Sequence, residues 1–109
     1  IASIVEKRGT GMPAGEHIVR KEMGYTNKEF MRLLPKAVGQ TDLQIRDNEI
    51  HVHEGDGLLR IQIGDESERR LGNFRLPLLP VSLIFTGFSE PQIESALDRF
   101  WRAYQKGGG

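Results

Sequence analysis

Cysteine is absent from this sequence, which excludes disulfide bonds, thiolate metal sites and thiol catalysis within the chain. An excess of either charge is also absent, because 15 Lys and Arg residues balance 15 Asp and Glu residues. A neutral chain has no overall field to attract nucleic acid, so nucleic acid is not the partner that we expect. No apolar run approaches the roughly 20 residues of a membrane span, so we expect a cytoplasmic protein with no membrane partner.

Sequence signatures of catalysis are lacking as well. Residues 9–15 are glycine-rich but lack the Lys-Ser/Thr pair of a phosphate-binding loop, and no serine stands in a Gly-x-Ser-x-Gly elbow. Nothing in the sequence desolvates the carboxylates of the predicted turns, which are Glu54, Asp56, Asp65, Glu66 and Glu68. We therefore predict no catalytic residue and no cofactor.

Composition favours one soluble globular domain, which we place at residues 25–106, because 38% of the residues are hydrophobic and 28% are charged. Glycine and proline interrupt regular structure near the start, so residues 1–24 are predicted to form a flexible or loosely packed N-terminal arm. A short strand and a helical turn are both compatible with residues 17–19. The three glycines at 107–109 are predicted to form a disordered tail.

A first helix is signalled by a capping box. The hydroxyl of Thr26 can accept from the amide of Glu29, while the Glu29 side chain reaches back to the amide of Thr26. Apolar residues at helical spacing follow, so we predict a helix over about residues 27–38. Pro35 lies inside this run and is expected to kink or end the helix around Leu34.

A second capping box, Ser89 with Gln92, predicts a C-terminal helix over about residues 90–105. Its apolar stripe, at helical spacing, consists of Ile93, Ala96, Leu97, Phe100, Trp101 and Tyr104. We expect this stripe to pack on a sheet. If the stripe is wider than the sheet, Trp101 is a candidate contact in a homodimer.

Alternating apolar and polar residues predict a β-hairpin over residues 43–53. A two-residue turn at 47–48 pairs Arg46 with Glu49. The remaining predicted pairs are Ile45–Ile50, Gln44–His51 and Leu43–Val52. A second hairpin leads into the alternating strand 59–63, and a loop of two or four residues would keep the apolar side chains on one face.

Two further strands are predicted near the C-terminal helix. The first covers residues 70–76, with Phe74 and Leu76 facing the core, and the last covers residues 81–85. Prolines fall between them, so residues 76–80 should form an edge or a bend rather than a central strand. The predicted fold is α+β, a two-layer sandwich in which an antiparallel meander sheet of four or five strands carries both helices on one face.

The other face of the predicted sheet is polar, because side chains alternate between the two faces of a strand. We call it the polar sheet face, and its residues are Gln44, Arg46, Glu49, His51, His53, Arg60 and Gln62. Such a surface can bind a ligand or a partner protein. It is also what the solvated face of an ordinary antiparallel sheet looks like.

A metal site is one interpretation of this face. His51 and His53 lie roughly 6–7 Å apart on one side of a strand and are candidate ligands, with Glu49 or His17 as a third. Metal sites normally need three or four placed ligands, and no third ligand stands at a diagnostic spacing. Whether the two histidines bind a metal therefore stays open at this point.

These features favour a non-catalytic accessory or protein-interaction module with an unidentified protein partner. It would act through the polar sheet face or through an exposed helix edge. The alternative is a protein that binds a small ligand or a metal through His51, His53 and Arg60. A deep pocket between the sheet and the N-terminal arm would favour the alternative, whereas a flat, solvated face would favour the module.

Overall fold

The computed structural model describes residues 16–105, which form an antiparallel sheet of six strands and two helices. In chain order the elements are β1 (Glu16–Met23), α1 (Asn27–Val38), β2 (Gln44–Arg46), β3 (Glu49–Glu54), β4 (Gly57–Ile63), β5 (Ser67–Leu71), β6 (Phe74–Thr86) and α2 (Glu90–Ala103). The predicted α+β class and both helices are confirmed, although the sheet has six strands rather than four or five. Neither of these two helices is long and apolar enough to cross a membrane.

β1 differs from the sequence prediction. The sequence predicts a loosely packed arm over residues 1–24, whereas Glu16–Met23 pairs with β6 along its whole length. Val19 is buried by this pairing, so the strand is part of the sheet and of its core. The rest of the predicted N-terminal segment, residues 1–15, lies outside the described residues, and so does the predicted glycine tail at 107–109.

β6 is the longest strand and pairs along both edges. β1 lies along one edge and β4 followed by β5 along the other, which gives the order β1-β6-β4-β3-β2 with β5 beside the start of β6. Ile63 pairs with Val81 and Ser67 pairs with Leu78, so residues 64–66 of one strand face only residues 79–80 of the other. The extra residue is a β-bulge, which joins β4 and β5 into one side of a long hairpin.

The outer part of this hairpin projects beyond the neighbouring strands, and we call it the arm (residues 67–78). β1 ends opposite Leu79 and β3 pairs with β4 only as far as Gln62, so neither strand flanks the arm. The arm closes in a two-residue turn, whose first residue, Gly72, has a φ of 63° that disfavours side chains with a Cβ. The projection gives the described chain an elongated outline of 48 × 29 × 28 Å.

The arm shows that the predicted strand over residues 70–76 is wrong. The chain turns at Gly72-Asn73 instead, between β5 and β6. Phe74 and Leu76, which the sequence predicts to face the core, are 71% and 43% exposed. They lie at even-numbered positions of β6, whereas Leu79 and the odd-numbered residues after it face the helices.

The two prolines do not interrupt β6. Residues 76–78 pair with β5 alone and so lie at an edge, as predicted, whereas Pro80 is paired on both sides in the interior of the sheet, contrary to the prediction. The amide of Gly64 donates to the carbonyl of Pro80 at 2.8 Å. The nitrogen and oxygen of one strand residue point to the same edge, so Pro80 presents its missing donor to the bulge. The nitrogen of Pro77 faces the opposite edge of β6, beyond the end of β1. No described strand there requires an N–H donor from it.

Both predicted hairpins are confirmed, the second with a two-residue loop at 55–56. The observed β2–β3 pairs are Gln44–His51, Ile45–Ile50 and Arg46–Glu49. The predicted pair of Leu43 with Val52 is not formed, because β2 begins one residue later. Ile45, predicted to be covered by a helix, is 55% exposed because it lies on the outermost strand of the sheet.

The hydrophobic core lies between one sheet face and the two helices, as the predicted two-layer sandwich requires. Its most deeply buried large side chains are Phe30, Leu34, Val38, Ile50, Val52, Ile61, Leu79, Leu83, Phe85 and Phe100. They come from both helices and from three adjacent strands. Among the described residues, no polar or charged side chain is buried with them.

α1 begins at the predicted capping box but continues through Pro35 to Val38, whereas the sequence predicts a kink or an end around Leu34. The proline ring removes one backbone donor from the helix. Ala37 and Val38 are both buried, so packing of the last turn holds the helix together past the proline. The helix then ends at Gly39, which has a left-handed φ of 75°.

An aromatic cluster joins the two helices. Tyr104 stacks on Phe30 with ring centroids 5.0 Å apart, and its hydroxyl donates to the Phe30 carbonyl at 2.7 Å. The hydroxyl of Tyr25 donates in turn to the carbonyl of Tyr104. Burial raises the pKa of Tyr104, and the nearby Tyr25 raises it further. Burial also raises the pKa of Tyr25, with a smaller contribution from the Glu29 carboxylate.

These raised pKa values predict alkaline destabilisation. In the unfolded chain both tyrosines ionise near pH ~10, whereas in the folded chain they stay protonated at that pH. Their contribution to stability is therefore complete below pH ~10 and is lost as the pH rises further. In an absorbance titration followed together with circular dichroism, we expect tyrosinate to form only as the chain unfolds. A tyrosine that ionises near pH ~10 while the fold is intact would contradict this.

Candidate functional site

The polar sheet face lies on the side of the sheet opposite the helices. Its pairs across neighbouring strands are Gln44–His51, His51–Arg60 and Glu49–Gln62, with Arg46 opposite Glu49 and His53 at the end of β3. All seven side chains are half-buried or exposed, and no described element covers them. The face is thus an open platform with a 450 Å³ hollow beside Arg46, Glu49 and Gln62, and its role as a ligand or partner surface stays a prediction.

Ion pairs connect the middle of this platform. Arg60 reaches across β6 to Glu16 on β1, with Nη2 and Oε2 3.2 Å apart. Its Nη1 lies 3.6 Å from Oε2 of Glu49, and the same oxygen lies 3.3 Å from Nε2 of His51. Ile84, which pairs with Arg60 on one side and with Ile18 on the other, is only 6% exposed although neither described helix covers it. The flanking strands and the aliphatic part of the crossing arginine together explain this burial.

This network makes the platform a poor anion receptor. The Arg60 guanidinium already has a carboxylate on each side, from Glu16 and Glu49. An incoming phosphate or carboxylate would have to displace both of these carboxylates, because negative charges a few ångströms apart repel one another. The imidazole of His51 is likewise in contact with the Glu49 carboxylate, which would repel an anion at the same position.

The metal interpretation loses one of its predicted ligands. His17 lies on the helix side of the sheet, where its ring meets Phe85 edge-on with the centroids 6.2 Å apart. It therefore cannot join His51 and His53, which lie on the opposite face. Within residues 16–105, no three His, Cys, Asp or Glu side chains are grouped closely enough to hold a metal ion.

A groove of 530 Å³ lies between the end of β1 and α2. Trp101 lines it, is half-buried, and packs edge-on against Phe100 with the centroids 4.9 Å apart. Nζ of Lys21 stands 4.9 Å above the indole ring, in a cation–π contact. Phe100 and Lys21 of its own chain thus contact part of the ring, and its predicted role as a dimer contact stays a prediction.

The arm carries the most exposed apolar surface of the described chain. Side chains of cross-strand partners share a face, and one face of the arm consists of Ser67, Arg69, Leu71, Phe74, Leu76 and Leu78. We call it the apolar arm face. Phe74 is 71%, Leu71 52% and Leu76 43% exposed. Large apolar side chains clustered in this way are typical of a protein contact surface.

The opposite face of the arm is charged. Arg70 lies directly opposite Arg75, and Glu68 lies opposite Pro77. Like charges directly opposite each other destabilise a strand pair. None of the three arginines of the arm forms an ion pair with any residue of the described chain.

The base of the arm is fixed to the helical layer. Oε1 of Glu66 in the bulge accepts from the amide of Asn27 at 2.8 Å. That amide belongs to the first turn of α1, where a negative charge is stabilised by the helix dipole. The arm therefore leaves the sheet in a direction that α1 helps to define.

This arm differs from the strand predicted over residues 70–76, although the sequence contains a signal for it. Gly72-Asn73 is one of the dipeptides that favour a two-residue hairpin turn. The apolar residues on both sides of it suggested a core strand instead, and the exposure of Phe74 depends on where β1 and β3 end. Those strand ends are set by tertiary pairing, which no local pattern encodes.

Comparison of this chain with protein-family models, curated proteins and solved structures produced no match. The function therefore has to be inferred from the surfaces themselves.

His51 is half-buried and His53 is exposed, on the side of the sheet away from the core, so we predict that they contribute little to stability. Replacing His51 and His53 by alanine removes one exposed contact with Glu49, which is worth at most about 1 kcal/mol. We expect the double variant to unfold within about 1 kcal/mol of the original chain in a urea titration. A loss of folding would mean that this face is covered in the folded protein.

Proposed function

We propose that this protein is a non-catalytic interaction module that binds a partner protein through the apolar arm face. The observation that carries the proposal is the exposure of Leu71, Phe74 and Leu76 on one side of a projecting hairpin. A monomer gains nothing from holding three large apolar side chains in water. Burying them against a partner would release that water and provide the driving force for binding.

The charges of the arm indicate the chemistry of the partner. Arg69 lies within the apolar arm face, and Arg70 and Arg75 border it from the other side of the ribbon. A partner surface with an apolar centre and an acidic rim would match both features. The rim would add specificity and speed of association more than affinity.

Nucleic acid is a poorer match to the same surface. Its phosphates would be drawn to the three arginines, but the centre of the face is occupied by exposed aliphatic and aromatic side chains. The adjoining polar sheet face does not extend a basic track, because Glu16 and Glu49 neutralise Arg60. The favoured partner is therefore a protein.

The alternative proposal is a small-ligand or metal-binding protein that uses His51, His53 and Arg60. The two histidines share a face, which supports it, whereas the ion pairs of Arg60 and the position of His17 weaken it. A melting experiment with Zn²⁺ tests it directly. Zn²⁺ would have to raise the melting temperature of the original chain and leave that of the His51→Ala/His53→Ala variant unchanged.

Site-specific photo-crosslinking tests the interaction module. A photoreactive phenylalanine analogue at position 74 should give one discrete adduct in the cells that produce the protein. The matched control is the same analogue at Ile45, which is 55% exposed but lies on β2, away from the arm. We expect an adduct from position 74 and none of the same size from position 45.

A second change makes the result specific to the arm chemistry. Arg69→Glu should abolish the adduct at position 74, because it places a negative charge in the apolar arm face beside the proposed acidic rim. Equal adducts from positions 74 and 45, or an adduct that survives Arg69→Glu, would contradict the proposal. An adduct with nucleic acid would assign the arm to that partner instead.

A further inference from the structure

We infer that β5 is the contact strand of a weak, symmetric dimer, in which the β5 strands of two copies of this chain pair antiparallel. This inference concerns the edge of the arm, not its apolar face. It does not depend on the partner protein proposed above. It follows from the backbone edge of β5 that no described strand pairs with, and from the order of charges along that strand.

The outer edge of β5 is available for pairing. The turn at 72–73 makes Leu71 and Phe74 a hydrogen-bonded pair, so residues 67, 69 and 71 direct their backbone groups toward β6. Glu68 and Arg70 therefore direct theirs away from it. No described strand lies on that side, because β3 ends its pairing at Gln62.

One register satisfies both the backbone and the side chains. If the two-fold axis passes beside Arg69, Glu68 of each copy pairs with Arg70 of the other. Both pairs then exchange two backbone hydrogen bonds, since both residues direct their polar groups outward. Both pairs also place a carboxylate beside a guanidinium, which is favourable across strands.

The second copy also relieves a repulsion within the arm. In one copy Arg70 faces Arg75 directly and forms no ion pair with any described residue. In the pair, Arg70 would lie between Arg75 of its own chain and Glu68 of the other. This complementarity favours a second copy of the chain, over an unrelated strand, as the partner of the β5 edge.

Only one edge of the arm can pair in this way. On the other edge Pro77 has no backbone N–H to donate, so a strand added there would lose a hydrogen bond. Pairing through β5 alone closes on itself as a dimer and does not continue into a fibre. The contact spans five residues of each chain, so its buried area falls well below that of a stable dimer and the association should be reversible.

The pairing would place both apolar arm faces on one side of a four-stranded ribbon. The two-fold axis is perpendicular to the ribbon, so Phe74 and Leu76 of both copies would face the same way. A partner with two matching surfaces could then bind both arms at once. Such bivalent binding exceeds the affinity of either arm alone.

Charge reversal provides the test. Arg70→Glu places two carboxylates opposite each other in both cross-strand pairs, and Glu68→Arg places two guanidiniums opposite each other in both. Each variant should therefore dimerise about tenfold more weakly than the original chain. An equimolar mixture of the two variants restores opposite charges in both cross-strand pairs of the mixed dimer, because the reversed residue of one chain then meets the reversed residue of the other.

The experiment is sedimentation velocity at low salt, where surface charges are least screened. We expect the original chain to associate over about 10 μM to 1 mM, and each variant alone to need about tenfold higher concentrations for the same degree of association. In the mixed dimer, one pair joins the two reversed residues and the other joins the two unchanged ones, so both pairs again hold a carboxylate beside a guanidinium. The mixture should therefore associate as the original chain does.

Matched controls separate this contact from general charge effects. Arg32→Glu and Glu94→Arg make the same charge changes at exposed positions of α1 and α2. Alone or mixed, they should associate as the original chain does. The inference is overturned if the original chain is monomeric at about 1 mM, if Arg70→Glu dimerises as the original does, or if the mixture stays monomeric. Circular dichroism of each variant confirms that the fold is intact.

The register makes one further prediction. The two Arg69 side chains would meet across the axis, which is the one unfavourable contact of the pairing. Arg69→Thr removes this repulsion and should strengthen the dimer several-fold in the same sedimentation experiment. A weaker dimer would show that the axis does not pass beside Arg69. Phe74→Ser, which alters the apolar arm face alone, should leave dimerisation unchanged and so distinguishes this inference from the proposed function.

Discussion

The alternation of side chains along β6 determines most of what this protein presents to its surroundings. Odd-numbered residues from Leu79 to Phe85 face the helices and form the centre of the core. Even-numbered residues face the other way along the whole strand. Within the sheet, flanking strands shield such a residue, so Ile84 is 6% exposed. In the arm, β5 is the one described strand that flanks β6, and Phe74 on the same side is 71% exposed. The apolar arm face thus results from a strand that continues past its neighbours.

Short-range signals predicted the local structure well, because each depends on residues within a few positions of one another. The Thr26–Glu29 capping box and the 47–48 turn contain all the hydrogen bonds or dihedral preferences that they need. Long-range pairing was not accessible in this way. The sequence of β1 is too polar and too irregular to reveal a strand until β6 lies beside it. The breaks predicted at Pro35 and Pro80 were wrong for a related reason, because long-range structure compensates for the missing N–H donors. Packing of the last turn holds α1 together past Pro35, and the β-bulge lies opposite Pro80 in β6.

The candidate site shows the same division. The residues of the polar sheet face share one side because strand alternation is local, and the sequence predicted that placement. The ion pair of Arg60 with Glu16 could not be predicted, because it crosses from β4 over β6 to a strand whose position depends on the whole sheet. The arm is the extreme case. Its exposure depends on where β1 and β3 end, and the residues of the arm itself do not indicate those positions.

The two charged surfaces differ in how many strands supply them. In the sheet Arg60 receives carboxylates from β3 and β1, and the platform neutralises itself. Within residues 16–105 the arm has only two strands, so Arg70 meets Arg75 and no third described strand supplies a carboxylate. A second copy paired through β5 is the simplest source of that strand, since its Glu68 then supplies the carboxylate partner that Arg70 lacks. Exposed edges are otherwise protected by charge or by proline, and the arm has both, with Pro77 on one edge and alternating charges on the other. Charges that repel an arbitrary strand but match their own copy in a single register would restrict pairing to one partner, which is the specificity that an exposed ribbon needs to avoid aggregation.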